Sequence, residues 1–287
     1  MYSSPVYRPP SEARSLIIQI TEGCSHNDCT FCGMYKGKQF RIRNDEEVMA
    51  HIEYIKRYDP NPRKIFIADG DFLCLATDKI LHYLEIVKSN FPNAERISCY
   101  SGPKDLLRKT PEDLKIIREA GLAMLYMGVE SGNDEILRRI KKGVNGNQMI
   151  EAGRKAIDAG FTFSCMIISG IGSNELSKEH ALDSARVISA INPNYFALLT
   201  LNIDEGTELA ADVRSGKFKL MTPDEIMDET YLMLESMDLE DCIFRSNHVS
   251  NYVNLSGVLN KDKESMLEDI RNAMKAKNYT PEHFRRL

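Results

Sequence analysis

Six short runs of β-forming residues, each followed by a stretch with helical spacing, set the architecture of this chain. The runs are Ser15–Thr21, Lys64–Asp69, Arg96–Ser101, Met124–Glu130, Phe161–Ser169 and Tyr195–Asn202. Each is nearly continuous in apolar residues, the pattern of a strand covered on both faces. Between them, Asp45–Tyr58 carries Val48, Ile52 and Ile55 at helical spacing, and Thr77–Phe91, Pro111–Ala120, Asn147–Ala159 and Lys178–Ile191 read the same way. Thr77-Asp78, Thr110-Pro111-Glu112 and Thr222-Pro223-Asp224 have the composition of helix starts. Ala120-Gly121 and Ala159-Gly160 have that of helix ends. Such alternation predicts a parallel sheet with right-handed crossovers. Six units are too few for a closed eight-stranded barrel, so the expected fold is α/β, a partial (β/α)6 TIM-type barrel. The expected division is an N-terminal arm over 1–14, the barrel core over 15–205 and a mainly helical extension over 206–287 that covers the barrel. Glu225–Met237 and Lys261–Lys277 are its expected helices.

A chain of 287 residues, 43% hydrophobic, can bury a sizeable core. The formal net charge of −5 gives no electrostatic footprint for non-specific nucleic-acid binding. No apolar run is long enough to span a membrane. Residues Met1 to Ser15 are polar and Pro-rich, without the apolar core of a signal peptide. A cytoplasmic location follows as the expectation, with thiols kept reduced. Seven cysteines, an odd count, argue against a closed disulfide framework.

Three of the seven are gathered in Gly23-Cys24-Ser25-His26-Asn27-Asp28-Cys29-Thr30-Phe31-Cys32, directly after the first run. Loops after strands build the active face of a βα barrel. Three thiolates can hold three irons of a cubane and leave the fourth iron for a small molecule, whereas electron-transfer clusters ordinarily use four cysteines. A structural zinc site, with His26 or a distant Cys as fourth ligand, is the competing assignment. No second Cys-x-x-Cys pair completes it. A set of unrelated buried cysteines is the third.

The cysteine loop, Asp69-Gly70-Asp71 at the second run's end and Gly128-Val129-Glu130-Ser131-Gly132 at the fourth's together resemble the radical S-adenosylmethionine (SAM) superfamily. The branch most resembled contains oxygen-independent coproporphyrinogen III oxidase, the methylthiotransferases and the elongator catalytic subunit. The similarity covers Ser15 to Asn202. It departs from the usual Cys-x3-Cys-x2-Cys spacing, because Ser25 to Asp28 make the first gap one residue longer. A subfamily with Cys-x4-Cys-x2-Cys spacing and a following run like Met34–Gly37 is the nearest in pattern.

The resemblance implies a [4Fe–4S] cluster on Cys24, Cys29 and Cys32, with the backbone at Phe31 against adenine. Asp69, Gly70 and Asp71 would receive the methionine ammonium, a charged donor that strengthens such bonds. Glu130 with Ser131 would contact the ribose or methionine end, and Lys142 the SAM carboxylate. Gly170 and Ile171, after Ser169, would hold adenine. Simpler readings stand beside these: a plain Asp-Gly turn, and for Lys142 a solvated helix end. Glu130 needs a partner in any case, because a carboxylate ending an apolar strand is costly alone.

Asp204-Glu205-Gly206-Thr207-Glu208-Leu209 resembles the Gly-Thr-x-Leu turn that relatives carry over the active-site mouth. Arg245, His248, Asn251 and Tyr252 belong to a polar segment without apolar periodicity, either ligand-facing or a surface loop. Lys36, Arg41 and Arg43 could hold an anionic substrate group, or form a solvated basic face. Cys99 and Cys165 fall in expected strands and read as buried thiols; either, pointing inward, could donate a hydrogen atom. Cys74 and Cys242 pair into no second cluster motif.

The activity implied by the resemblance is reductive cleavage of SAM to a 5′-deoxyadenosyl radical. That radical would take hydrogen from a small carboxylated or phosphorylated substrate, with flavodoxin or ferredoxin as reducing partner. Whether the reaction is an oxidoreductase, lyase or transferase one is left open. A tRNA-modifying enzyme is the alternative within the class; residues beyond the core leave no room for an appended RNA-binding, acetyltransferase or cobalamin module, which disfavours tRNA thiomethylation and cobalamin-dependent methylation. Nucleic acid is a disfavoured partner, and no membrane partner is expected. Outside the class stand a non-catalytic zinc- or cluster-binding module and a haem or iron–sulfur chaperone.

Overall fold

The computed structural model describes residues 2–285; Met1 of the arm and Arg286 and Leu287 of the C-terminal stretch lie outside the described residues. In chain order the first elements are β1 (Leu16–Gln19), β2 (Thr21–Glu22), β3 (Arg41–Ile42), α1 (Asp45–Ile55), β4 (Lys64–Ala68), α2 (Thr77–Asn90), β5 (Arg96–Tyr100), α3 (Pro103–Arg108), α4 (Pro111–Glu119) and β6 (Leu122–Glu130). They continue with α5 (Asp134–Arg139), α6 (Gly146–Asp158), β7 (Thr162–Ser169), α7 (Ser177–Ile191), β8 (Tyr195–Thr200), α8 (Glu208–Arg214), α9 (Pro223–Ser236), β9 (Ile243–Arg245), β10 (Ser256–Val258) and α10 (Lys263–Ala276). All six expected strands and seven expected helices are present. The fold is α/β with a mostly parallel sheet.

The chain forms two compact units. The first takes the residues up to Asn27, Met34–Met127 and Arg154–Phe163. In it β1, β4, β5 and β6 lie side by side and parallel, with Gln19 opposite Ala68, Ile67 opposite Cys99 and Cys99 opposite Leu125. Ile65, Phe66, Ile67 and Ala68 are all fully buried, as a strand covered on both faces requires. Thr110 caps α4 with a full capping box, an arrangement of about 1 kcal/mol. Thr77 is not a cap: Ala76 holds that position without a side-chain hydrogen bond, and Thr77 is already helical. Gly121 and Gly160 follow their helices with φ of +118° and +86°, which a Cβ would strain.

The arm is tied into this unit by Glu12, which is fully buried. Its carboxylate accepts from Arg96 at 2.6 Å, Ser98 at 3.0 Å, Tyr126 at 2.6 Å and from Ser15. Burying one carboxylate this deeply is tolerable only with such a full set of donors.

The second unit takes Asp28–Gly33, Gly128–Gly153 and Ser164–Leu287. Here β7, β8 and β9 are parallel neighbours, with Ser169 opposite Thr200 and Tyr195 opposite Ile243, and β10 runs antiparallel to β9. The stretch read as mainly helical thus holds α8, α9 and α10 but adds two three-residue strands. Strands of that length carry too little alternation to stand out in sequence. Thr222 caps α9 with a capping box. No helix of the described residues is long and apolar enough to cross a membrane.

Candidate cofactor site

The turn after β4 is built against the start of the cysteine loop. Gly70 N donates to Gly23 O at 3.0 Å, and Gly23 N donates to Asp69 Oδ2 at 3.0 Å. A Cβ on Gly70 would lie 3.0 Å from Cys24 Cβ and 3.0 Å from the Tyr35 ring. Glycine is needed here because two backbones meet. Asp69 is fully buried and also accepts from Gln19 at 2.9 Å and Lys38 at 3.1 Å. Its carboxylate therefore holds the loop in shape.

Asp71, two residues on, accepts from Ser25 Oγ at 2.8 Å, the residue after Cys24. A Cβ on Gly102 would sit 3.0 Å from Asp71 Oδ2 and 2.8 Å from Asp105 Oδ2, so the two carboxyls converge on that glycine. Burial, with Asp105 beside it, pushes the Asp71 carboxyl well above the usual carboxylate range. Cys74 donates to Asp71 O at 3.1 Å, and burial pushes its thiol up to about 12.

The rest of the cysteine loop belongs to the second unit. Thr30 N donates to Ile140 O at 3.1 Å, and Leu209 N donates to Thr30 O at 3.0 Å. Gly33 N donates to Asp204 Oδ2 at 3.0 Å, so Asp204 after β8 holds the residue that follows Cys32 and Leu209 on α8 the residue two before it. Phe31 is half-buried.

At the end of β6, Glu130 has φ +64°, and its side chain is buried. A non-glycine residue held in the left-handed region costs of order 1 kcal/mol and often marks a functional position. Lys142 Nζ meets Glu130 Oε1 at 2.8 Å, while Glu130 Oε2 is buried without a hydrogen-bond partner. An unsatisfied buried carboxylate oxygen fits a ligand donor. The next two residues turn away from that position. Ser131 Oγ lies 2.8 Å from His180 Nδ1, and Gly132 N donates to Ser184 Oγ at 2.9 Å. At the end of β7, Gly170 N donates to Glu229 Oε1 at 2.8 Å, and Ile171 is buried.

Burial alone pushes the Glu229 carboxyl up to about 7 against its hydrogen bonds from Ser177 and Gly170, and burial holds His180 down at about 4. His180 and Glu229 escaped the sequence reading because both stand on apolar helix faces, where their only signal is a polar residue in the wrong place. Glu229 follows Ile226 and Met227, and His180 precedes Ala181.

The substrate candidates fall into two groups. Arg43 is buried and bonds Glu22 at 2.8 Å and Gln19 at 2.8 Å. Arg41 is held by Glu22 and Glu47, and Lys36 donates to Asn27 O. Asn251 is buried and bonds Thr200, Leu198 O and Ser246 O. Tyr252 stacks under the Arg285 guanidinium at 3.6 Å. Arg245 is exposed, and His248 is half-buried beside Ser250.

None of the seven cysteines is in a disulfide. Cys24, Cys29 and Cys32 are half-buried, while Cys99, Cys165 and Cys242 are buried. Burial pushes Cys99 and Cys165 well above the ordinary thiol range. Among the described residues no three His, Cys, Asp or Glu side chains gather around one metal-ion position. A cubane takes each thiolate on a different iron. Half-buried thiols outside any disulfide, a glycine that admits the neighbouring turn and an orphaned carboxylate oxygen suit the cluster and SAM.

The sequence matches the Radical SAM superfamily over residues 18–185. A protein of Methanocaldococcus jannaschii, provisionally named a methylthiotransferase, is 30% identical over 154 residues, 51% of this chain and 33% of that protein. The chain thus spans about a third of that curated relative. Methylornithine synthase superposes with a TM-score of 0.55 at 18% identity, over 93% of this chain and 82% of that one. Coproporphyrinogen III oxidase from Escherichia coli superposes with a TM-score of 0.57 at 20% identity, over 78% of this chain and 54% of that one. These structural likenesses bear on the fold alone, and it is that of the partial barrel. With more than half of its length inside the family match, the chain belongs to the radical SAM superfamily.

Proposed function

We propose that this radical SAM enzyme cleaves SAM reductively and takes hydrogen from a small carboxylated or phosphorylated molecule. The family works with a [4Fe–4S] cluster and SAM, which when bound supply one electron and a 5′-deoxyadenosyl radical. The observation that carries the reading is the contrast among the thiols. The three on one loop are accessible, and three of the four scattered ones are buried. Cys24, Cys29 and Cys32 would hold the cluster. Asp71, Glu130 and Lys142 would orient the amino-acid end and ribose of SAM, and Gly170 and Ile171 the adenine. Arg245 is exposed, and the one described hydrogen bond of its guanidinium goes to Phe244 O, which leaves donors for a substrate anion. On this reading residues 15–205 form the catalytic core and 206–287 face the substrate. A flavodoxin or ferredoxin would deliver the electron.

The test is anaerobic reconstitution, addition of dithionite and SAM, and detection of 5′-deoxyadenosine. Product from the wild type and none from Cys29→Ala is the expected result. A protein loaded with about four irons per chain that neither binds SAM nor yields product would sink the reading. The name of the Methanocaldococcus relative, a methylthiotransferase, supports a second reading, transfer of a methylthio group, with a tRNA base as the acceptor to test. A new modified nucleoside after incubation with bulk tRNA would select it.

A further inference from the structure

A buried hydrogen-bond network stands behind two strand ends of the second unit. From α7, His180 holds Ser131 after β6, at 2.8 Å. From α9, Glu229 Oε1 accepts the Gly170 N–H after β7 at 2.8 Å, and Oε2 accepts from Ser177 Oγ at 2.8 Å. His180 is fully buried and Glu229 2% exposed, with His180 Nε2 3.8 Å from Glu229 Oε1. A carboxyl group buried on a helix whose other buried residues include Ile226, Met227 and Met233 is costly. One of its hydrogen bonds goes to Gly170, just after β7, and the other to Ser177, the first residue of α7. Helix α9 also presses on Gly170, since a Cβ there would fall 2.7 Å from Ile226 Cδ1. Gly170 has φ +84°, a conformation that favours glycine, and its N–H points at the Glu229 carboxyl. Yet α9 lies wholly beyond the family match, which ends at residue 185.

We propose that Glu229 is a positioning residue of the SAM site: it fixes the Gly170–Ile171 turn from behind, while His180 fixes the strand end that carries Glu130. This rests on the reading that those two strand ends receive SAM. The C-terminal stretch then sets cofactor affinity as well as facing substrate. Removing the acceptor frees the Gly170 amide and loosens the turn. The cysteine loop has its own anchors, at Ile140, Asp204 and Leu209. Iron binding and SAM binding should therefore separate in a Glu229 variant, which a general loss of packing would not achieve.

The experiment titrates SAM calorimetrically into the full-length, anaerobically reconstituted protein, with iron content and melting temperature measured alongside. Glu229→Leu should raise the SAM Kd about tenfold, the effect of leaving one buried N–H without its acceptor, with iron per chain unchanged. Glu229→Gln keeps a carbonyl for the Gly170 N–H and an amide for Ser177, and should stay within about threefold. Glu130→Gln is the control for the underlying reading. If it leaves SAM affinity unchanged, the reading falls and the proposal with it. If Glu130→Gln weakens binding while Glu229→Leu binds like the wild type, the positioning role alone is overturned. Should Glu229→Leu not fold, Ser177→Ala decides. It should weaken SAM about threefold, and unchanged affinity would overturn the proposal.

Discussion

Lys142 Nζ lies 2.8 Å from Glu130 Oε1, and the absence of a side chain at Gly128 makes room for the pair. A Cβ there would fall on Glu130 Oε1 and come within 3.2 Å of Lys142 Nζ. Both side chains are about nine-tenths buried, so the pair is screened little by solvent. Removing one partner of a buried pair leaves an uncompensated charge. Lys142→Met should lower stability by about 3 kcal/mol, read as the midpoint shift in urea unfolding. Glu130→Gln combined with Lys142→Met should recover part of the loss. Equal stability of wild type and Lys142→Met would mean that the ion pair adds nothing to the fold.

Gly70→Ala tests the contact between the turn after β4 and the cysteine loop. The new methyl would meet Cys24 Cβ at 3.0 Å and Cys24 Cα at 3.2 Å, positions that backbone holds in place. Overpacking of this kind costs about 1–3 kcal/mol. The displacement falls on a thiol assigned to the cluster. Iron per chain after reconstitution should drop at least by half, an order-of-magnitude expectation from that strain, while helix content by circular dichroism is retained. Full iron loading would show that the loop yields without moving the thiol.

The pH dependence of stability should change sign locally at Glu229. Burial raises its folded pKa to about 7, from an ordinary 4.5. Between these values the folded state binds the extra proton, so this group adds stability as pH falls from 7 toward 4.5. Burial does the opposite to His180 and His51, both held at about 4 against an ordinary 6.5. There the unfolded state takes the proton, and stability is lost as pH falls from 6.5 toward 4. Glu229→Gln removes the first contribution and leaves the other two. Its unfolding free energy should fall more steeply than the wild type's from pH 7 to 5, by at most about 1.4 kcal/mol per pH unit. Parallel profiles would mean that Glu229 is ionised throughout the folded state.

Glu12 offers a test remote from the cysteine loop. Its carboxylate accepts hydrogen bonds from Arg96, Ser98 and Tyr126. Glu12→Ala removes the acceptor of a guanidinium that is three-quarters buried and of three hydroxyls, Ser15, Ser98 and Tyr126, and should cost about 3 kcal/mol. Glu12→Gln should cost less, since one oxygen still accepts. Thermal unfolding distinguishes the three proteins. A Glu12→Ala melting temperature within a degree or so of wild type, far less than such a loss implies, would show the arm to be dispensable.

What the sequence determined by itself was local and periodic. The six apolar runs became strands because β-branched residues covered on both faces admit few other structures. The stretches between them became helices, with Thr110 and Thr222 at the caps their spacing predicted. The cysteine spacing also sufficed to mark one loop as chemical, because three thiols within nine residues have few structural uses. Thr77 misled, since a hydroxyl beside a helix start is a cap only if its backbone stays extended.

The tertiary structure alone decided which polar groups meet across distance. Gly70 against Cys24, Gly33 on Asp204 and Gly170 on Glu229 join residues far apart in the chain. No local period encodes such pairs. It also separated Ser131 from Glu130, adjacent residues of one motif, turning the first back onto His180 while the second keeps a buried oxygen without a partner. The physical reason is that a buried polar group must find its partner wherever packing brings one. Packing is a property of the whole fold.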